Sequence, residues 1–192
     1  MQIIKDVYFE NHCQFFSEKE IMNVENSLNI KLPESLRGFY LMFGNDLDLL
    51  KSMYNIALPE ELYVQDNILI LAKENQNICG YGINILNQKP VYFDCSNNIL
   101  KEMNEDLEDF LIYLLAVQGT EFLDCIGSLD ISVVSEIERY LIRITGAEGK
   151  AVFCDRCGII CVDVGNSILI CAKNDDYMES FEDATGLEVD YL

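Results

Sequence analysis

The sequence predicts an α+β fold, because signals for amphipathic helices and for short strands are both abundant. Apolar residues recur at helical spacing in several segments, and residues that begin or end helices flank those segments. Runs of β-branched and aromatic residues, bounded by Gly, Asn or Asp, indicate strands. Half of the 192 residues are apolar, so the chain can bury a substantial core.

Two helices are predicted in the first quarter of the chain. Ser17 to Glu20 fits a capping box, in which both side chains satisfy backbone N–H groups at the start of a helix. A second helix is expected to begin at Pro33, because the fixed φ of proline suits the first helical position. It should end at Gly44-Asn45. The side chains that this helix should bury are Leu36, Phe39, Tyr40 and Phe43.

Three strands and a third helix are predicted next. The segments 66–73, 78–85 and 89–95 have strand composition, and the first reads as a strand buried on both faces. Asn104 is expected to cap a helix that runs through Val117, with Gly119 at its end. Its inward side chains should be Leu107, Phe110, Leu111 and Leu114.

A further group of elements is predicted after residue 120. A helix over 132–145, ending at Gly146, would be followed by strands at 150–154, 158–164 and 167–173. Gly165-Asn166 indicates a tight turn between the last two strands. An amphipathic segment over 176–186 closes the chain. The residues expected inside the two helices are Val133, Ile137, Leu141, Ile144, Tyr177, Met178 and Phe181.

The chain is strongly acidic. It has 33 Asp and Glu against 13 Lys and Arg, a formal net charge of −20. Such a surface repels nucleic-acid phosphates and anionic lipid, and it attracts basic partners. No apolar run approaches the roughly 20 residues of a membrane span, and the first residues lack the pattern of a secretory signal. We therefore expect a cytoplasmic protein that binds neither nucleic acid nor membrane.

Three of the eight cysteines lie in the stretch CDRCGIIC at 154–161. A C-x2-C-G turn is how a zinc ribbon begins, and C-x-x-C also occurs in redox proteins. The candidate metal or redox residues are Cys154, Cys157, Cys161 and Cys171. No second ligand pair exists, and the motif lies between strands, so an ordinary hairpin with incidental thiols is favoured. We expect no metal and no cofactor.

The sequence contains no convincing catalytic constellation. The single histidine, His12, and its neighbour Cys13 would point in different directions in a strand or a helix. Gly80-Tyr81-Gly82 is too short for a phosphate loop. These observations predict a protein that binds rather than catalyses.

Residues 25–45 combine a short helix, the Leu32-Pro33 pair and a helix that carries an aromatic pair and ends at Gly-Asn. A buried strand followed by AKENQ, then GYGI and PVYFD, covers 68–94, and NEDLEDFLIYLL follows at 104–115. In this order the elements resemble the SUKH superfamily, over about residues 17–117. Gly38 stands where a larger residue is usual, and the Trp common near Cys79 and Tyr81 is absent.

The resemblance implies a single mixed, largely antiparallel sheet with helices packed mainly on one side, and no enzymatic activity. Residues 1–119 would form the SUKH-like core. Residues 120–192 would add a C-terminal helix-plus-three-strand extension, packed as part of the same domain. Many bacterial members look like immunity proteins that neutralise a cognate toxin by direct binding, and others, such as the yeast cell-wall-synthesis regulator, act as scaffolds.

Together with the charge, the resemblance predicts an immunity protein whose partner is a basic toxin domain, such as a nuclease. The alternatives are a regulatory scaffold for another protein and a small zinc or redox protein that uses Cys154 and Cys157. Polar and aromatic side chains at one end of the sheet are the predicted binding surface. They are Glu74, Asn75, Gln76, Asn77, Tyr81 and Asp94. An ordinary polar turn is the alternative there, with the acidic region around Asp175, Asp176 and Glu179 as another binding face.

Overall fold

The computed structural model describes residues 1–8, 15–44, 47–97, 99–120, 123–145, 150–155 and 157–192. The helices are α1 (Gln2–Tyr8), α2 (Glu18–Leu28), α3 (Glu34–Phe43), α4 (Leu47–Leu50), α5 (Leu107–Gly119), α6 (Val134–Ile137) and α7 (Asp175–Thr185). The strands are β1 (Tyr54–Ile56), β2 (Tyr63–Gln65), β3 (Ile68–Glu74), β4 (Cys79–Asn84), β5 (Pro90–Asp94), β6 (Ile99–Glu102), β7 (Cys125–Asp130), β8 (Ile142–Arg143), β9 (Val152–Cys154), β10 (Ile159–Asp163), β11 (Ser167–Ala172) and β12 (Asp190–Tyr191). The α+β class is confirmed.

The chain forms two compact units. One contains residues 12–111, and the other contains residues 1–11 together with 112–192. The strands form two six-stranded sheets, one in each unit, and all the strand pairs are antiparallel. None of the described helices is long and apolar enough to cross a membrane. Whether residues 1–119 form an independent domain stays a prediction.

The helices of the first unit follow the local sequence signals. The capping box is confirmed: Ser17 Oγ accepts a hydrogen bond from Glu20 N–H, and Glu20 Oε2 accepts one from Ser17 N–H at 2.8 Å. Pro33 is the residue before α3 rather than its first residue, a shift of one position. The four predicted core side chains of α3 are buried, and Gly44 ends the helix.

The first sheet has the order β1-β3-β4-β5-β6, and β2 also pairs with β3. The three predicted strands are confirmed as β3, β4 and β5, whereas β1, β2 and β6 were not predicted. Asp66 and Asn67 connect β2 to β3 with φ values of 50° and 63°. Two successive positive φ values are typical of a type I′ hairpin turn.

The helix α5 begins at Leu107, so the prediction that Asn104 caps it was wrong. The ammonium group of Lys89 explains the later start, because its Nζ donates hydrogen bonds to the carbonyl oxygens of Asn104 and Glu105 at 3.2 and 3.4 Å. Because these two carbonyl oxygens accept hydrogen bonds from the Lys89 side chain, they do not accept hydrogen bonds from N–H groups within a helix. The predicted inward residues of α5 are buried.

The second unit contains its own sheet, so the prediction of a single sheet with a three-strand extension was wrong. Its order is β12-β7-β11-β10-β9-β8. The three predicted strands are confirmed as β9, β10 and β11, while β7, β8 and β12 extend the sheet at both edges. Gly165 adopts φ +98° in the predicted turn, and its N–H donates to Asp163 Oδ1 at 2.8 Å.

The predicted helix over 132–145 is mostly absent, since only Val134–Ile137 is α-helical. Ile142 and Arg143 instead pair with Cys154 and Phe153, and Ile144 N–H donates to Val152 O at 2.8 Å. Pairing along a sheet edge therefore replaces the helical hydrogen bonds, and β-branched side chains favour that outcome. Ile137 and Leu141 are buried as expected, whereas Gly146 lies outside the described residues.

The core of the second unit lies between its sheet and α7. Asn174 Oδ1 caps the helix by accepting a hydrogen bond from Tyr177 N–H at 3.2 Å, and Gly186 ends it with φ +69°. Met178 and Phe181 are buried against the sheet, and Tyr177 packs partly buried at the same cluster. The predicted closing segment is therefore confirmed as an amphipathic helix.

Candidate functional site

The predicted polar segment 74–77 forms the turn between β3 and β4. Glu74 is the last residue of β3, and Asn77 N–H donates to Glu74 O at 2.8 Å to close the turn. Asn77 has φ 57°, a left-handed conformation that Asn tolerates. Gln76 is exposed. The expected location at a sheet end is therefore correct, while a role in binding stays a prediction.

Asn75 has an internal structural role. Its side-chain oxygen accepts a hydrogen bond from Asn55 Nδ2 at 2.9 Å, and its Nδ2 donates to Ser52 O at 2.8 Å. The amide therefore ties the β3–β4 turn to β1 and to the segment before it. An Asn75 variant would disturb this packing, so it is a poor reporter of partner binding.

Glu74, Tyr81 and Asp94 lie on one face of the first sheet, grouped around Cys79. Cys79 is the cross-strand partner of Asp94, and its Sγ lies 3.8 Å from Glu74 Oε2. Burial, followed by the nearby carboxylates, raises the pKa of the Cys79 thiol, although a hydrogen bond with Tyr92 acts in the opposite direction. The thiol therefore stays protonated at neutral pH.

The ring of Tyr81 is a packing element. Its centroid lies 5.4 Å from that of Tyr54, 5.9 Å from that of Tyr92 and 5.1 Å from that of Phe110. These distances and the edge-on or tilted angles are those of favourable aromatic pairs. Phe110 places α5 on this face of the sheet, so most of the Tyr81 ring is used to hold the fold.

Asp94 anchors the turn between β5 and β6. Its carboxylate accepts hydrogen bonds from the N–H and hydroxyl of Ser96 at 2.8 and 2.6 Å, and from the N–H and Nδ2 of Asn97 at 3.2 and 2.9 Å. These hydrogen bonds, with the Ser96 hydroxyl contributing most, lower the pKa of Asp94 to about 2. Asp94 is therefore a fixed negative charge at neutral pH.

The opposite face of the same sheet carries an open cavity of about 490 Å³ that the sequence did not predict. Gly80 and Gly82 of β4 share this face with their cross-strand partners Phe93 and Ile70. A Cβ at Gly80 would lie 2.5 Å from the Phe93 ring, so the glycine makes room for that ring. We call this cavity the sheet hollow; its apolar walls are Tyr63, Ile70, Phe93 and Leu100.

The rim of the sheet hollow is polar. Asp66 lines it, and so does Asp94, which is the last residue of β5 and therefore reaches the rim from the end of the strand. Lys73 is the cation among its described lining residues. Lys73 Nζ lies 5.6 Å from the centroid of the Tyr63 ring, within the range of a cation–π contact. The alternating glycines of GYGI could have indicated the hollow, because glycine within a strand marks a bulge or a close approach.

The CDRCG stretch is a turn organised by a carboxylate. Asp155 Oδ1 accepts hydrogen bonds from the backbone N–H groups of Cys157, Gly158 and Ile159, at 2.8, 2.9 and 2.9 Å. A Cβ at Gly158 would lie 3.0 Å from the ring of Tyr177 on α7. Cys154 and Cys157 are thus separated by a hairpin turn that the Asp155 carboxylate organises.

The four candidate thiols do not converge on one point. Cys154 and Cys171 both pair with Ile160, so they lie on one face at two strand spacings, about 10 Å apart. Cys161 follows Ile160 and therefore faces the other side of the sheet. Ligands of one zinc ion each lie about 2.3 Å from the metal, which this arrangement does not allow.

Burial also makes these thiols poor ligands. It raises the pKa of Cys171 to about 12 and that of Cys161 well above its ordinary value, whereas a metal ligand must be a thiolate. The seven cysteines that the structure describes are thiols, and no cluster of three or more His, Cys, Asp or Glu residues in the described chain could hold a metal. His12 and Cys13 lie outside the described residues.

Comparison with known proteins gives no assignment. No protein-family model matches the chain, and a search of curated proteins finds no match. The SUKH resemblance therefore stays a prediction from the sequence.

Proposed function

We propose that this protein is a non-catalytic binding protein whose partner is a basic protein domain, and that it acts as an immunity protein against a toxin. The observation that carries the proposal is the sheet hollow: an open apolar cavity with carboxyl side chains at its rim, on a chain of net charge −20. Exposed apolar surface bordered by polar groups is typical of protein-binding sites.

The apolar side chains of the hollow would supply the binding energy. Leu100 is 61 % exposed and Tyr63 is 41 % exposed; both line the hollow from paired strands, and Leu100 is the cross-strand partner of Phe93. Aromatic and aliphatic side chains that become fully desolvated supply most of the affinity in protein interfaces. Because the strands already hold these side chains in place, little conformational entropy is lost on binding.

The charge supports selection of a basic partner. Long-range attraction by a strongly acidic surface accelerates association with a basic protein and repels acidic ones. At the rim, Asp94 stays ionised because its pKa is held at about 2, and Asp66 is a second carboxylate of the lining. The carboxylates therefore orient the partner, while the apolar walls retain it.

The order of elements supports the immunity interpretation. A capped helix, the Leu32-Pro33 pair and a helix with buried Phe39 and Tyr40 are followed by the six-stranded antiparallel sheet, which includes the predicted strands β3, β4 and β5, and then by α5. This is the order expected from the SUKH resemblance, in which many bacterial members look like immunity proteins. A regulatory scaffold would use the same surface, so the partner's activity distinguishes the two functions.

The test uses any basic protein domain that a gene beside this one encodes, as the candidate toxin domain. We expect the purified protein to bind that domain and to abolish its activity at a one-to-one ratio. Binding that leaves the activity intact would favour a regulatory scaffold. Failure to bind any basic domain encoded beside the gene at micromolar concentration would overturn the proposal.

Variants then locate the binding surface. Leu100→Asp places a charge in the hollow and should accelerate dissociation at least tenfold. Asp66→Lys should slow association and weaken its salt dependence. Leu86→Asp is the matched control, because Leu86 is 76 % exposed and does not line the hollow. Equal effects of Leu100→Asp and Leu86→Asp would move the binding surface elsewhere.

A further inference from the structure

The strand β6 is an exposed edge beside the sheet hollow. It pairs with β5 and ends the strand order of the first sheet, so no strand of the described chain pairs with its other side. All four of its residues, Ile99 to Glu102, are exposed. An edge strand of this kind is a template for pairing with another chain.

The backbone groups that face outward can be assigned from the ladder. Met103 N–H donates to Pro90 O at 2.8 Å, and the register pairs Lys101 with Tyr92. In an antiparallel ladder the bonded pairs alternate, so Lys101 and Ile99 direct their N–H and C=O groups to β5. Leu100 and Glu102 therefore direct theirs away from the sheet.

The side chains of the same two residues point to the hollow's face. Leu100 is the partner of Phe93 and lines the hollow, and Glu102 lies two residues further along the strand. Glu102 Oε2 accepts hydrogen bonds from Asn84 Nδ2 at 3.2 Å and Asn87 Nδ2 at 2.8 Å, which hold its carboxylate at this edge. At Leu100 and Glu102, β6 therefore presents an apolar and an acidic side chain toward the hollow. The backbone N–H and C=O groups of the same two residues point away from the sheet.

We propose that β6 accepts an extended strand of the basic partner in antiparallel pairing, with an apolar residue opposite Leu100 and a Lys or Arg opposite Glu102. This inference rests on the proposed function, since it specifies how the basic partner engages the hollow. The residue between the two faces the other side of the sheet, opposite Lys101, and is uncharged or acidic. Main-chain hydrogen bonds supply affinity, and the alternating side chains supply specificity.

The net charge of the chain indicates which kind of strand pairs with β6. A second copy of the chain would bring a net charge of −20 against −20, and its own β6 would have to pair with this one. A basic strand instead gains a charge pair with Glu102 and with the carboxylates at the rim of the hollow. The partner is therefore a different protein, and self-association is an outcome that the test detects.

The probe is the synthetic peptide acetyl-Lys-Thr-Val-Thr-Lys-amide, added to the full chain. Its central valine should lie opposite Leu100 and exchange two backbone hydrogen bonds with it. Two N-methylated peptides of identical charge form the matched pair. Methylation at the valine blocks a bond to β6, whereas methylation at either threonine alters an N–H that points away.

We expect the amide resonances of Leu100 and Glu102 to shift on titration and their hydrogen exchange to slow, with Lys101 little changed. Methylation at valine should weaken binding at least tenfold, and methylation at threonine less than twofold. Equal binding of both methylated peptides would overturn strand addition and leave only charge or the hollow as the cause. Binding without any change at Leu100 and Glu102 would also overturn it.

Two further results separate this inference from the proposed function. If the toxin domain does not bind but the peptides behave as expected, the edge accepts strands and the immunity function is wrong. If the toxin domain binds while the amides of Leu100 and Glu102 exchange as in the free protein, the function stands and strand addition is wrong. Protection of the same amides in the free protein that increases with its concentration would indicate self-pairing and contradict the choice of a basic partner.

Discussion

The carboxylate of Glu25 accepts a hydrogen bond of 3.0 Å from the backbone N–H of Leu32, just before Pro33. Glu25 is only 2 % exposed, and its Oε2 also lies 3.0 Å from Arg37 Nη1 and 3.2 Å from Lys31 Nζ. One buried carboxylate on α2 therefore fixes both the chain that enters α3 and a side chain of α3 itself. Removing one partner from a buried ion pair leaves the other uncompensated.

Glu25→Gln should lower the free energy of unfolding by about 2 kcal/mol at pH 7. Burial by itself raises the pKa of Glu25, but the hydrogen bonds from Leu32, Lys31 and Arg37 outweigh it, and the pKa is lowered below its ordinary value. A lowered pKa means that the stabilisation is present above the unfolded-state pKa and is lost as the pH falls through the folded-state pKa.

The difference in stability between wild type and Glu25→Gln should therefore shrink as the pH falls below about 4.5, the ordinary value for Glu. Urea unfolding at a series of pH values measures it. Glu179→Gln, at an exposed position of α7, is the control for losing one carboxylate. A difference that stays constant down to pH 3 would show that the Glu25 charge does not contribute.

The elements that the sequence predicted correctly are those with local signals. Ser17 and Glu20 lie within one helical turn, and the apolar spacing of α3 is complete within ten residues. The role of Glu25 could not be predicted, because its partners Lys31 and Arg37 meet it only after the chain has turned at Pro33. An acidic residue in an amphipathic helix otherwise indicates a solvent-facing position.

Short edge strands were missed for a related reason. β1 and β2 have three residues each and β8 has two, so period-2 alternation cannot be recognised in them. Their conformation is fixed by pairing with β3 and β9, which are distant in sequence or lie beyond a turn. In 132–145 the helical spacing of Ile137 and Leu141 was genuine, but the pairing of Ile142 with Cys154 ended the helix early.

The candidate site was predictable only in part. The polar turn 74–77 follows from its residues and the strands around it, so its location at a sheet end was correct. The sheet hollow draws its walls from four strands, and two of these, β2 and β6, were not predicted. Gly80 and Gly82 leave space for the side chains of Phe93 and Ile68, and these contacts can be recognised only after the register is known.

Asp155→Ala should destabilise the second unit by about 2–3 kcal/mol, because three N–H groups, two of them part-buried, lose their acceptor. Asp155→Asn keeps an acceptor oxygen and should cost less. Cys157→Ser, at an exposed position of the same turn, should change stability by less than about 0.5 kcal/mol. Thermal unfolding of the three variants measures the order of their stabilities. A larger loss of stability in Cys157→Ser than in Asp155→Ala would contradict the Asp-centred turn.

The purified protein should carry no stoichiometric zinc or iron. The physical reason is that Cys154 and Cys171 lie about 10 Å apart, and Cys161 faces the other side of the sheet. Elemental analysis after purification without chelator is the measurement. A content near one metal per chain, lost in the double variant Cys154→Ser and Cys157→Ser, would show that the turn binds metal.

Phe39→Ala should lower the free energy of unfolding by about 3–5 kcal/mol, because a fully buried aromatic ring is replaced by a cavity. The Phe39 ring lies 5.3 Å from Tyr40 and 6.1 Å from Phe43, centroid to centroid, so aromatic contacts are lost as well. Met22→Ala on the exposed face of α2 is the control and should be nearly neutral. Equal effects of the two substitutions in urea unfolding would mean that α3 does not form the core.

Gly38→Ala should raise the free energy of unfolding by about 0.5–1 kcal/mol. Gly38 lies inside α3, and a Cβ built there meets no atom within 4 Å, so alanine gains helix propensity without a clash. Gly44→Ala is the opposite control, because its Cβ would lie 2.5 Å from Tyr40 O and 2.7 Å from the Phe16 ring. Urea unfolding should place the two variants on opposite sides of the wild type, and a destabilised Gly38→Ala would show that the space beside α3 is filled.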